Sequence, residues 1–163
     1  MELELRLAHD DDAEAIRRIY NYEVEHSTVT FDIVPRDAAA QQTWMAEHGG
    51  VYPVLVATDA GRVVGFASLS PYRPRPAYAT TVEDSVYVAA SHRGTGVGTA
   101  LLRELCVLAA SHGFHAVIAR IVGDHEASIG LHARCGFAHV GVEREVGRKF
   151  GRWLDVCVMQ RLV

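Results

Sequence analysis

Residues 80–102 constrain this chain more than any other stretch. They read Thr-Thr-Val-Glu-Asp-Ser-Val-Tyr-Val, then Ala-Ala-Ser-His-Arg-Gly-Thr-Gly-Val-Gly, then Thr-Ala-Leu-Leu. This is a strand, a loop with glycine at every second position behind an arginine, and the start of a helix. A glycine-rich turn into a helix N-terminus aims several backbone N–H groups at one point, and the helix dipole adds positive charge there. Such a cradle suits a phosphate or pyrophosphate. The strand before it carries an acid, Glu83, in a mostly apolar segment. A phosphate cradle beside a strand carboxylate points to an enzyme with a phosphorylated cofactor.

The 163 residues fit one domain, and the 49% hydrophobic content is enough for a real core. The net charge of −4 gives no electrostatic case for nucleic acid or an anionic membrane as partner. No apolar run approaches a membrane span, and residues 1–7 alternate as a strand does, unlike a signal peptide. Cys106, Cys135 and Cys157 are odd in number and widely spaced, without a CxxC pair. Buried thiols in a cytoplasmic protein are expected, with no disulfide framework or zinc site.

Hydrophobic periodicity and turn residues predict the elements. A strand at 2–7 leads to a helix capped by Asp10, Asp11 and Asp12, reaching Glu25. Asp37 caps a second helix, which ends before Gly49-Gly50. Strands at 52–58 and 63–70 form a hairpin, and a proline- and arginine-bearing loop leads into the strand at 81–88. A helix from Gly98 to Ser111, a strand at 115–122, and a short helix capped by Ser128 follow. Strands at 137–142 and 153–162 finish the chain. The order β-α-α-β-β-β-α-β-α-β-β mixes hairpins with crossovers, so an α/β (α+β) domain with a mixed sheet is expected.

Three phosphate-binding motifs compete for the glycine loop. A Walker loop needs a lysine that Val97-Gly98-Thr99 lacks. The dinucleotide fingerprint wants G-x-G-x-x-G near the start of a βαβ unit, which Gly94, Gly96 and Gly98 do not supply. The pattern R/Q-x-x-G-x-G/A is met in full by Arg93-Gly94-Thr95-Gly96-Val97-Gly98. That motif resembles the pyrophosphate loop of the GCN5-related N-acetyltransferases (GNAT), and the element order resembles their fold over the whole chain. Within that superfamily the chain is similar to the phosphinothricin and methionine sulfone/sulfoximine acetyltransferases. The similarity rests on Ile19-Tyr20-Asn21, Ser27-Thr28-Val29-Thr30-Phe31, Arg73-Pro-Arg-Pro-Ala-Tyr78, Thr81-Val82-Glu83, Leu131-His132, Cys135-Gly136-Phe137 and 149–156, in order.

The resemblance implies acetyl-CoA as co-substrate, a small amino acid or analogue as acceptor, and direct transfer in a ternary complex. A regular strand puts Glu83, Ser85 and Tyr87 on one face and Val82, Val86 and Val88 on the other. Glu83 matches the family's proposed general base. The backbone of Val86, Tyr87 and Val88 would hold the pantetheine arm and polarise the thioester carbonyl. Arg93 and the loop Gly94, Thr95, Gly96, Val97, Gly98 and Thr99 would hold the pyrophosphate. Arg73, Arg75 and Tyr78 match the acceptor loop, where guanidinium groups suit a carboxylate or phosphinate. Phe31 would line the acceptor pocket, and Ser85 shares the face of Glu83.

His132 stands where many members carry a tyrosine that protonates the departing thiolate. A packed or capping histidine is an equal alternative. The family carries asparagine at the position of His125, three residues before Ser128, as a contact to the cofactor arm, and this chain departs there. No metal is expected, since His125 and His132 are seven apart and HExxH is absent. The resemblance also implies a homodimer with C-terminal strands at the contact. Two other readings stand beside it: acetylation of a protein N-terminus, polyamine or aminoglycoside, and a CoA-binding regulatory module without turnover.

Overall fold

The computed structural model describes residues 2–163. The chain builds one seven-stranded sheet in the order β1-β2-β3-β4-β5-β7-β6. The strands are β1 (Leu3–Leu7), β2 (Val54–Asp59), β3 (Arg62–Pro71), β4 (Thr81–Val88), β5 (Ala116–Val122), β6 (Ala138–Lys149) and β7 (Arg152–Leu162). All neighbours are antiparallel except β4 and β5. The mixed sheet expected from the element order is therefore present, and it is mostly antiparallel, as the resemblance to the GNAT fold implies.

Helices pack on both faces. The helices are α1 (Ala13–His26), α2 (Ala38–Glu47), α3 (Val97–Ser111) and α4 (Glu126–Arg134). Leu101, Leu102, Leu105 and Ala109 of α3 meet Val82, Val117, Ala119 and Ile121 in the larger core. On the opposite face, Ile16, Tyr20 and Val24 of α1 close over Val54, Val56 and Phe66. This sandwiching explains why β2 and β5 read as near-continuous apolar runs. The three aspartates predicted to cap α1 form a separate 3-10 turn before it. Asp12 is buried there and accepts both Arg6 Nη atoms, at 2.6 and 2.8 Å, which pins β1 to the start of α1.

Two boundaries differ from the sequence reading by three residues or more. β6 runs to Lys149, seven residues past the expected end at Val142. A register shift between Glu143 and Gly147, with Glu145 at φ +52°, breaks the period-two pattern. The Asp155 carboxylate accepts the Glu145 N–H at 2.9 Å and holds the bulge. The second difference is at α4. Its first residue is Glu126, with His125 in the cap position, so Ser128 is not the cap. The His125 carbonyl already accepts the Ser128 and Ile129 N–H groups, at 3.1 and 3.2 Å.

Candidate active site

The site begins where β4 and β5 part. Their parallel ladder holds only Thr81 with Ala116, Val82 with Val117 and Glu83 with Ile118. From Asp84 onward β4 has no partner on that side, so backbone groups on its open edge are left for something else to satisfy. The gap between the strands is a cavity of about 780 Å³. Glu83, Asp84, Ser85, Val86, Tyr87 and Val88 line it from β4, and Arg120, Ile121 and Val122 from β5.

The glycine loop closes one end. Gly94 and Gly96 have φ of +74° and +94°, the left-handed region where other residues are strained. α3 starts at Val97 with Gly96 in the cap position and no side-chain cap, so its first amides are uncommitted. Arg93, Gly94, Gly96, Gly98 and Thr99 line the cavity. Thr95 and Val97 do not: the Thr95 hydroxyl donates to the His92 carbonyl at 2.6 Å, and Val97 is in the core. This cradle fits a pyrophosphate. Arg93 is itself engaged, donating from Nε to the Val88 carbonyl at 3.2 Å and from Nη2 to Glu23. Glu23 is buried on α1, lines the same cavity, and accepts the Ser27 hydroxyl at 2.7 Å.

Glu83 sits where the strands separate. Burial raises its pKa; Arg120 works against that, while Asp84 and Glu143 add to it. Tyr87 shares this face, stacked on Phe66 at 5.3 Å and edge-on to Tyr20 at 5.1 Å. Phe31 also lines the cavity. Its ring lies so near Gly147 that a Cβ there would come within 2.4 Å of it. Lys149 Nζ donates to the Thr30 carbonyl at 2.9 Å and fixes the loop that carries Phe31.

His132 lines the cavity from α4, against β4. Nδ1 is 2.8 Å from the Ser128 carbonyl, so it carries a proton, and Nε2 is 3.0 Å from Asp84 Oδ2. Burial opposes the imidazolium, but the Asp84 carboxylate and the Ser128 carbonyl outweigh it and leave the pKa above the ordinary value. Both ring nitrogens are thus committed to protein acceptors. His125 and Ser128 line the cavity at the start of α4, and burial pushes the His125 pKa down.

Arg73, Arg75 and Tyr78 are not among the residues lining this cavity. Arg73 stacks on Tyr72 and Tyr78, at 4.9 and 5.8 Å from the ring centroids, and Arg75 precedes a short 3-10 turn. The structure therefore brings Glu83, Ser85, Phe31 and the glycine loop together, and leaves the arginine loop beside the outer end of β4. Sequence reasoning passed over Glu23, Asp84, Arg120 and Glu143. Arg120 had a signal, as the one charge in the apolar run Ala116–Val122. Among the described residues, no group of three or more His, Cys, Asp or Glu could hold a metal ion.

Residues 16–137 match the model of the acetyltransferase (GNAT) family. The chain belongs to the GNAT family. This GNAT chain is 42% identical to a phosphinothricin N-acetyltransferase of Streptomyces coelicolor, over 98% of its own length and 96% of the relative's. It is 43% identical to an L-methionine sulfoximine/L-methionine sulfone acetyltransferase of Pseudomonas aeruginosa, over 98% and 94%. A crystal structure of a GNAT phosphinothricin acetyltransferase from Sinorhizobium meliloti, in complex with acetyl-CoA, superposes with a TM-score of 0.96. That match is 39% identical and covers all of this chain and 89% of the other.

Proposed function

We propose that this GNAT enzyme transfers the acetyl group of acetyl-CoA to the α-amine of a small amino acid or analogue of the methionine sulfone, methionine sulfoximine or phosphinothricin type. One observation carries the reading: Glu83 shares a single cavity with the Arg93–Thr99 cradle, at the point where β4 and β5 separate. Bound acetyl-CoA supplies an activated acyl group with a thiolate as leaving group. The amides of Gly94, Gly96, Gly98 and Thr99 hold the pyrophosphate, and the open backbone edge of Val86–Val88 orients the pantetheine arm. Glu83 takes the proton from the acceptor's ammonium, directly or through one water, and a pKa raised by burial suits that task near neutral pH. Phe31 and Ser85 bound the acceptor end of the cavity. We assign Arg73, Arg75 and Tyr78 to the approach, where they draw an anionic acceptor inward. His132 serves as a clamp between α4 and β4, since both its nitrogens are in use.

The three cysteines are free and buried, which fits the reducing cytoplasm. Val140, Val142, Val146, Phe150 and Trp153 are exposed on the β6–β7 hairpin. An apolar patch of this kind fits a homodimer interface, and light scattering at the mass of two chains is the expected result. The activity itself is tested by thiol release from acetyl-CoA over methionine sulfone, methionine sulfoximine, phosphinothricin, polyamines and free amino acids. Release with the first three acceptors is expected. Release only with polyamines would overturn the acceptor assignment.

A further inference from the structure

Six basic side chains line the cavity: His92, Arg93, Arg120, His125, His132 and Arg134. Four of them face a carboxylate. Arg93 donates to Glu23, Arg120 to Glu143, His132 faces Asp84 and His92 faces Asp59. His125 has no carboxylate, and burial pushes its pKa down, so it is uncharged at neutral pH. Arg134 is exposed and makes neither an ion pair nor a hydrogen bond among the described residues. It is therefore the one full positive charge on this wall that nothing neutralises.

The packing of α4 on α3 sets its position. Leu131 lies so near Gly98 that a Cβ there would meet its Cδ1 at 2.7 Å. The Cys135 thiol faces the Thr99 carbonyl at 4.0 Å. Arg134 falls between these two contacts in sequence, so it belongs to the turn of α4 beside the glycine cradle. Its arm turns back toward the start of α4, as helical side chains do. Nη1 passes over Gly130, within 3.3 Å of where a Cβ would stand. A glycine inside a helix costs about 1 kcal/mol relative to alanine. Here the missing side chain leaves the space in which the guanidinium lies.

Acetyl-CoA brings two separate anionic groups to this wall. The pyrophosphate suits the amides of the cradle. The 3′-phosphate hangs from the ribose beyond it and, as a phosphate monoester, carries a charge of about −1.5 to −2 at neutral pH. Amides already given to the pyrophosphate cannot serve it, whereas a free guanidinium offers phosphate a bidentate fork. We propose that Arg134 binds the 3′-phosphate of the CoA ribose and so makes the enzyme favour acetyl-CoA over donors that lack this group. Gly130 acts as the positioning residue, since its bare backbone lets the arm lie along the rim. The assignment rests on acetyl-CoA as co-substrate, given above.

The test is calorimetric titration with CoA and with 3′-dephospho-CoA, for the wild type, R134Q and R103Q. Arg103 is an exposed arginine of α3 outside the cavity lining and controls for charge in general. The wild type is expected to bind CoA roughly three- to tenfold more tightly at low salt, between the worth of an exposed ion pair and a desolvated one. R134Q should bring the two dissociation constants within about twofold by weakening CoA alone. R103Q should keep the preference. Should R134Q fail to fold, R134K, which keeps the charge and loses the fork, should show a partial loss. A wild type without preference, a preference kept in R134Q, or one erased by R103Q would each overturn the assignment. A wild type that binds neither nucleotide would instead remove the acetyl-CoA cradle itself, and the Arg134 role with it.

Discussion

His132 Nε2 lies 3.0 Å from Asp84 Oδ2, and this contact joins α4 to the strand that carries Glu83. The two side chains are only 4% and 2% exposed, so neither can turn to water if the other is lost. Breaking a buried pair from one side costs about 3–5 kcal/mol. Asp84→Asn should therefore lower the melting temperature by on the order of 10 °C. The pH dependence has a definite sign. Because the folded pKa of His132 is raised, its contribution to stability is complete below the ordinary value of 6.5 and fades as pH rises through the folded value. Melting curves across this range should show the decline in the wild type and a flatter profile in Asp84→Asn. An equal slope in both would contradict the pairing.

Gly147 leaves room for the Phe31 ring, which a Cβ would approach to 2.4 Å. Phe31 is half in the cavity and half in solvent, so the ring would move and narrow the acceptor end. Gly147→Ala should raise KM for the acceptor by on the order of tenfold, with acetyl-CoA binding unchanged. Steady-state kinetics with each substrate varied separates the two effects. An unchanged acceptor KM would remove Phe31 from the acceptor pocket.

Glu23 places a buried carboxylate against Arg93 at the edge of the phosphate cradle. An incoming diphosphate meets both its repulsion and its hold on the guanidinium. Glu23→Gln removes the charge and keeps one oxygen that can still accept from Arg93, while its amide NH2 can donate to the Ser27 hydroxyl. The CoA dissociation constant should fall by roughly three- to tenfold, about 1 kcal/mol, in calorimetry at low salt. A rise would mean that the carboxylate is needed to place Arg93.

Much of this was legible in the sequence, for physical reasons. The alternation in 81–88 gave the two faces of β4, and Gly94 and Gly96 marked the left-handed turns of the cradle. The Glu145 bulge hid the length of β6, because an extra residue destroys the alternation on which strand reading depends. Ser128 resembled a helix cap, since capping depends on backbone angles that residue type suggests only weakly. The partners Glu23–Arg93 and Asp84–His132 stand 70 and 48 residues apart, and nothing local pairs them. Arg120 could be noticed as a charge in an apolar strand, but only the β4–β5 register showed that it shares a face with Glu83. The acceptor role of Arg73, Arg75 and Tyr78 comes from the resemblance and from guanidinium chemistry, and neither says how near the loop lies to the cavity lining.

Burial keeps the Glu83 pKa above the ordinary glutamate value of 4.5, and the Arg120 charge holds it down. The acid limb of kcat/KM should therefore lie above 4.5 and move further up in R120Q. The pH–rate profile of the free enzyme reads this directly. A limb that moves down would contradict the arrangement of charges around Glu83.

The central claim is that Glu83 removes the acceptor's proton in the cleft between β4 and β5. Its most direct measurement is kcat for Glu83→Gln at neutral pH, with the acetyl-CoA dissociation constant measured on the same preparation. The account predicts a fall in kcat of roughly 10²- to 10⁴-fold with cofactor affinity nearly intact. A kcat within a few-fold of the wild type would contradict it.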